Sequence, residues 1–183
     1  MKTSLIILCS VVLVVLTFIA YYGGFTKIDI HIEEQGGETV VYEDITGDYR
    51  KSGLVMDKIY HSLLNNDGIE TFKGYGEYYD NPQKVEKEKL RSQAGSIIED
   101  QDLPKLLTLT GDFKVKQLPK QDYIVAEFPY KGKISILFSI FRVYPALQKY
   151  SEENDYSLET SIMEIYDIPN KKIRYRKAIQ TKE

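Results

Sequence analysis

The hexapeptide Glu77-Tyr78-Tyr79-Asp80-Asn81-Pro82 is written a second time as Glu164-Ile165-Tyr166-Asp167-Ile168-Pro169, 87 residues further on (164 − 77). Other residues recur at nearly the same spacing: Ile28, Ile30, Val40 and Gly47 are followed 85 positions later by Phe113, Val115, Val125 and Gly132. A shared offset over that span identifies one module of about 85 residues used twice. The expected organisation is an N-terminal segment over residues 1–25 and one domain over 26–183, with halves at about 26–100 and 111–180. A domain of roughly 155 residues is within the usual single-core range and buries a core without disulfide staples.

Each half reads as strand, strand, helix, strand, strand. Ile28, Ile30 and Ile32 alternate with Asp29 and His31, the period of a half-buried strand, and Gln35-Gly36-Gly37 turns the chain into a second strand, Thr39 to Ile45. Ser52 is placed to cap a helix carrying Val55, Ile59 and Leu63 on one face, and Asn65-Asn66-Asp67-Gly68 supplies its stop. Phe72 to Tyr79 and Leu90 to Ile98 complete the half. The second half repeats this order: Phe113 and Val115, a turn at Leu118 to Asp122, a strand from Tyr123 to Phe128, then Glu159 to Tyr166 and Lys172 to Ile179. Its helix, Ile134 to Phe141, is apolar nearly all round, so it must be buried on several sides or lie against a membrane. Pro145 is expected to kink it or to start a new helix.

Residues 5–22 are almost wholly apolar, long enough as a helix to cross a bilayer core of about 30 Å. A cleaved leader needs a shorter apolar run and small residues at its end, whereas here Ala20 is followed by Tyr21-Tyr22, an aromatic belt. An uncleaved single-pass anchor is expected. With Lys2 and the amino terminus on one flank and Lys27, Asp29, Glu33 and Glu34 on the other, the domain is expected on the non-cytoplasmic side.

With 24 Lys+Arg against 27 Asp+Glu and no dense basic patch, nucleic acid is not an expected partner. The single cysteine, Cys9, lies in the apolar segment, and His31 and His61 are isolated, so neither a metal site nor a cofactor is expected. Fifteen tyrosines and no tryptophan suit a surface or cavity that must be apolar and hydrogen-bonding together.

Several short stretches in order carry a family resemblance: Tyr22-Gly23, Tyr78-Tyr79-Asp80-Asn81-Pro82, Lys89-Leu90-Arg91, Ala94-Gly95-Ser96-Ile97, Phe128-Pro129-Tyr130, Arg142 to Leu147 with Tyr150, Glu164-Ile165-Tyr166 and Lys172-Ile173-Arg174. The pattern from Lys27 to Ile179 resembles the GyrI-like small-molecule-binding domain, and within that superfamily the testis-expressed ER-phagy receptor family. The resemblance implies an α+β effector-binding fold of two pseudo-symmetric halves with a ligand cleft between them. Domain junctions of this kind are favoured pocket sites on general grounds. The resemblance places the autophagy partner's binding site of those receptors in an acidic, aromatic motif within a long disordered C-terminal segment, with no counterpart here up to Glu183, so that activity is not carried over.

Period two puts Glu77 and Tyr79 on one face of their strand, and Glu164 and Tyr166 on one face of theirs. Glu164, Tyr166, Tyr79, Tyr130 and Glu77 are the candidate ligand-binding residues. Where GyrI-like drug binders carry an acidic residue on the last strand, this chain reads Tyr175-Arg176-Lys177, so Arg176 joins the set and the expected ligand need not be a cation. The expected function is binding of a small molecule, amphipath or peptide. The alternatives are a hydrolase using a Glu/Tyr pair, as the resemblance allows, and a membrane-tethered adaptor. Asp80 and Asp167 are expected to make the turn before their prolines.

Overall fold

The computed structural model describes residues 2–181. Helix α1, Lys2–Tyr21, has no buried residue and is the one helix among the described residues long and apolar enough to cross a membrane. Beyond it come β1 (Ile30–Gln35), β2 (Thr39–Thr46), α2 (Lys51–Asp67), β3 (Lys73–Tyr78) and β4 (Arg91–Ile98). A 3₁₀ segment, Asp100–Thr108, leads to β5 (Lys114–Gln117), β6 (Gln121–Pro129), α3 (Lys133–Glu153), β7 (Ile162–Asp167) and β8 (Lys172–Ala178). All eight strands form one antiparallel sheet in the order β1-β6-β8-β7-β3-β4-β2-β5, the α+β arrangement expected of a duplicated module.

The first strand of each half is exchanged. β1 pairs with β6, and β5 pairs with β2, so neither Gln35-Gly36-Gly37 nor Leu118-Pro119-Lys120 closes a hairpin. Alternation in sequence assigns the face of a strand but not its neighbour. The two connecting segments cross, and they hydrogen-bond where they do: Gly37 N–H donates to the Leu118 carbonyl at 2.9 Å and Leu118 N–H to the Glu38 carbonyl at 2.8 Å. Gly36 has φ +103°, and a Cβ built there would lie 1.8 Å from the Pro119 carbonyl oxygen, so only glycine lets the segments pass this closely.

Both helices lie on one face of the sheet. α2 packs Ile59 and Leu63 on Val41, Ile69 and Ile98, with Leu103, Leu106 and Phe113 of the connector closing the cluster. Its N-cap is Arg50 and no side chain caps it; the Asp48 carboxylate accepts the Arg50 N–H, whereas Ser52, expected as the cap, is buried in the first turn. The stop is as expected, with Gly68 left-handed at φ 64° and its N–H on the Leu63 carbonyl. α3 sets Ser135, Ser139, Val143, Leu147 and Ser151, spaced by four, against Ile124, Ala126, Phe128, Ile173 and Tyr175. It runs unbroken through Pro145, which sits on the exposed side, where water can satisfy the Phe141 carbonyl that proline leaves unpaired. The other face of the curled sheet buries Val40, Tyr75, Ile97, Tyr123, Val125, Met163 and Ile165 in a cluster of its own.

The crossing predicts a graded pair of substitutions. Gly37 also has positive φ, but nothing lies within 4 Å of a Cβ there. Gly37→Ala should therefore cost only the strain of a Cβ at positive φ, about 1–2 kcal/mol, and Gly36→Ala at least about twice that, because the crossing segments must also separate. Urea unfolding of both variants would measure the difference, and equal losses would refute the steric argument.

Candidate functional site

The centre of the sheet is the β3–β7 pair, where the halves meet. On the helix side Gly74, Gly76 and Tyr78 of β3 lie directly opposite Tyr166, Glu164 and Ile162 of β7. Two glycines in a central strand keep the β3 side of that floor low. A Cβ at Gly76 would lie 3.1 Å from the Tyr78 ring and 3.2 Å from the Met56 methyl group. Over the floor, α2 and α3 stand apart as walls, leaving a cleft of about 1160 Å³. Its lining includes Met56 and Tyr60 from α2, Ile140 and Tyr144 from α3, and Tyr130, Glu164, Tyr166 and Lys177.

Glu164 is 3% exposed, and both its oxygens accept a tyrosine hydroxyl: Tyr144 donates to Oε1 at 2.7 Å, and Tyr166 donates to Oε2. Burial pushes its carboxyl above the usual glutamate range, and the two hydroxyls only partly offset this. The Tyr144 and Tyr166 hydroxyls are in turn pushed well up by burial and by the neighbouring Glu164 carboxylate. The Tyr130 ring meets Tyr166 edge-on, 6.3 Å between centroids, and Tyr144 meets Tyr175 likewise at 6.0 Å. Lys177, 3% exposed, donates to the Leu158 and Thr160 carbonyls, and burial brings its ammonium down to about 8.

Of the residues expected from sequence, Glu164, Tyr166 and Tyr130 converge here, and Glu77 and Arg176 do not. Glu77 lies opposite Met163, on the face away from the helices. There Lys116 meets it at 2.9 Å, and Tyr75, Tyr79 and Ser161 donate hydroxyls to it. Burial works to raise its carboxyl, but the bonds from Tyr75, Lys116 and Ser161 outweigh it and hold Glu77 below the usual range. Tyr79 borders the cleft, but its hydroxyl turns to Glu77. Arg176 forks onto Glu38 at 3.0 and 2.6 Å and onto Gln35 at 2.5 Å, fastening the crossing segment. The two hexapeptides are thus out of step with the sheet: an odd offset of 87 carries the non-helix face of β3 onto the helix face of β7. Asp80 and Asp167 fix turns, accepting from the Arg91 and Asn170 backbone N–H. Tyr144 and Lys177 were missed. The parity of β8 alone would have separated Lys177 from Arg176.

The chain belongs to the GyrI-like small molecule binding domain family, whose model matches residues 28–178. It is 34% identical over 122 residues to "Testis-expressed protein 264 homolog" of Mus musculus and 30% identical over 153 residues to "Testis-expressed protein 264" of Homo sapiens. These matches cover 63% and 77% of this chain but only 37% and 47% of the relatives, so the chain spans less than half the length of either. Among solved structures, the EcmrR–DNA complex superposes with a TM-score of 0.60 at 12% identity, covering 96% of this chain and 65% of that one. SAV2435, bound in its structure to tetraphenylphosphonium, gives 0.53 at 10%, covering 83% and 94%. At these identities the likeness is one of fold.

The two glutamates predict opposite pH slopes. Folded Glu77 titrates below the ordinary 4.5, so the stability it contributes is present above 4.5 and is lost as pH falls through its lowered value. Lys116→Met should cost about 2–3 kcal/mol at pH 7, and the deficit should shrink below 4.5. Folded Glu164 titrates above 4.5, so its contribution is complete below 4.5 and is lost as pH rises through the raised value. Glu164→Gln should therefore gain on the native protein as pH rises from 4.5 through the raised value, read as a growing difference in unfolding free energy.

Proposed function

We propose that this chain is a membrane-anchored binding module that takes an amphipathic small molecule into the α2–α3 cleft. The observation that carries the reading is the cleft floor: a buried Glu164 accepting two tyrosine hydroxyls, inside about 1160 Å³ of lined space. The polar end of the ligand meets the floor. Its apolar part lies along Met56 and Ile140 toward a mouth bordered by exposed Leu54, Phe72, Phe141 and Ile168. A hydroxyl or acid group fits this chemistry, with Lys177 available to an anion; a permanent cation gains little from a carboxyl that burial biases toward the neutral form. Both Glu164 oxygens are already bonded to tyrosine hydroxyls, which favours binding over hydrolysis, since a general base must be free to reach water.

The test is a thermal-shift panel on the full chain in lipid nanodiscs, with an anionic amphipath, a neutral one and tetraphenylphosphonium. The anionic and neutral compounds should raise the melting temperature more than the cation. Tyr144→Phe and Glu164→Gln should each weaken the shift about 10-fold in half-saturating concentration, the effect of one buried hydrogen bond. Absence of a shift with every class, or shifts indifferent to both variants, would remove the cleft from the reading.

The anchor in this proposal is α1, with Tyr21 and Tyr22 at the bilayer surface and the domain on the non-cytoplasmic side. In a Cys9→Ser background, a Gln180→Cys thiol should show no gain in labelling by an impermeant reagent when the plasma membrane alone is permeabilised, compared with intact cells. Labelling absent in intact cells and gained on that permeabilisation would reverse the assignment.

A further inference from the structure

The apolar outer side of α3 is neither buried nor lining the core. Ile134, Leu137 and Phe141 are 38%, 56% and 70% exposed and, at i, i+3 and i+7, form one stripe along the helix. The exit of the anchor is fastened beside it. Gly23 and Gly24 bring the backbone against Phe128 and Phe138, where a Cβ would lie 2.8 and 3.2 Å from the rings. Arg142 donates to the Gly24 and Thr26 carbonyls, the latter at 2.9 Å. The Lys131 ammonium stands 4.3 Å from the ring centre of Tyr21, the last residue of α1. The start of α3 is therefore at the level of the aromatic belt, where lipid headgroups lie. From residue 128 to 151 the chain carries Lys131, Lys133, Arg142 and Lys149 and no acidic side chain. An apolar stripe with basic flanks is the composition of a helix face that rests in a bilayer interface.

We propose that the Ile134–Leu137–Phe141 face of α3 is a second membrane contact, resting on an anionic bilayer beside the exit of α1. The proposal depends on the reading of α1 as an anchor. Phe141 also borders the cleft mouth, so this contact sets the mouth at the lipid surface. A second copy or a protein partner on the same face is the competing occupant.

The test uses the full chain in vesicles of phosphatidylcholine with or without phosphatidylserine. Single cysteines at Leu137→Cys and Phe141→Cys, in a Cys9→Ser background, carry an environment-sensitive dye, and the lipids carry a quencher on the acyl chain. Val12→Cys reports the anchor itself, and Leu107→Cys, 91% exposed on the connector packed against α2, reports a surface away from it. Labels at 137 and 141 should sit about 5–10 Å below the surface, lose about half their emission to quencher, and do so more strongly with phosphatidylserine, while 107 stays unquenched. Quenching at 12 without quenching at 137 and 141 would overturn the contact and leave the anchor. No quenching at 12 would overturn the anchor and the contact with it. A blue-shifted dye at 137 or 141 that lipid quencher leaves bright would assign the face to protein and overturn the proposal.

Discussion

Everything in this fold hangs on two segments passing each other, 35–38 and 118–121, at hydrogen-bond distance. Because they cross, β6 pairs on one side with the first strand of the other half, and so does β2. The exchange makes the halves one sheet whose middle is the β3–β7 pair. It also leaves α2 and α3 on the same face, apart over that middle. Glycine at 36 permits the approach, and Arg176, 2% exposed, holds it through Glu38 and Gln35. Burial works to raise the Glu38 carboxyl, and the Arg176 guanidinium overcomes it and holds Glu38 below its usual range, the behaviour of a buried pair that must stay intact.

Duplication, strand alternation, the glycine stop of α2 and the apolar first segment were all legible, because each is written in neighbouring residues. Strand partners were not. Ile30 and Val40 each declare which face is buried, but nothing local says that β1 must reach past β2 to β6. The repeat also misled in register. Matching Glu77 to Glu164 by the surrounding motif is sound as sequence, yet a single-residue slip within a strand exchanges the two sides of a sheet. The motif is kept where the strand ends and turns, at Asp80 and Asp167, and the side-chain roles ahead of it were free to diverge. The same one-residue difference separates Arg176, at the crossing, from Lys177, in the cleft.

Two like glutamates consequently live in opposite electrostatic settings. On the far face Glu77 has a lysine and three hydroxyls, the surroundings that favour an ion. On the cleft floor Glu164 has hydroxyls but, among the described residues, no cation within ion-pair distance, and burial dominates. Tyrosine serves both sites, through Tyr75 and Tyr79 on one and Tyr144 and Tyr166 on the other. Its hydroxyl satisfies a buried carboxyl while its ring fills the apolar space around it.

The Arg142 clamp has a mechanical meaning. α3 is one unbroken helix that carries Phe138 and Arg142 against the anchor exit and, half a turn further on, Tyr144 against the ligand floor. A rigid rod fastened at neighbouring points to a tether and to a cleft wall couples the two. If α1 is the anchor and the cleft the binding site, as proposed, an occupant that displaced that wall would tilt the domain on its tether, and by thermodynamic reciprocity a tilt imposed at the bilayer would alter how well the cleft holds its occupant.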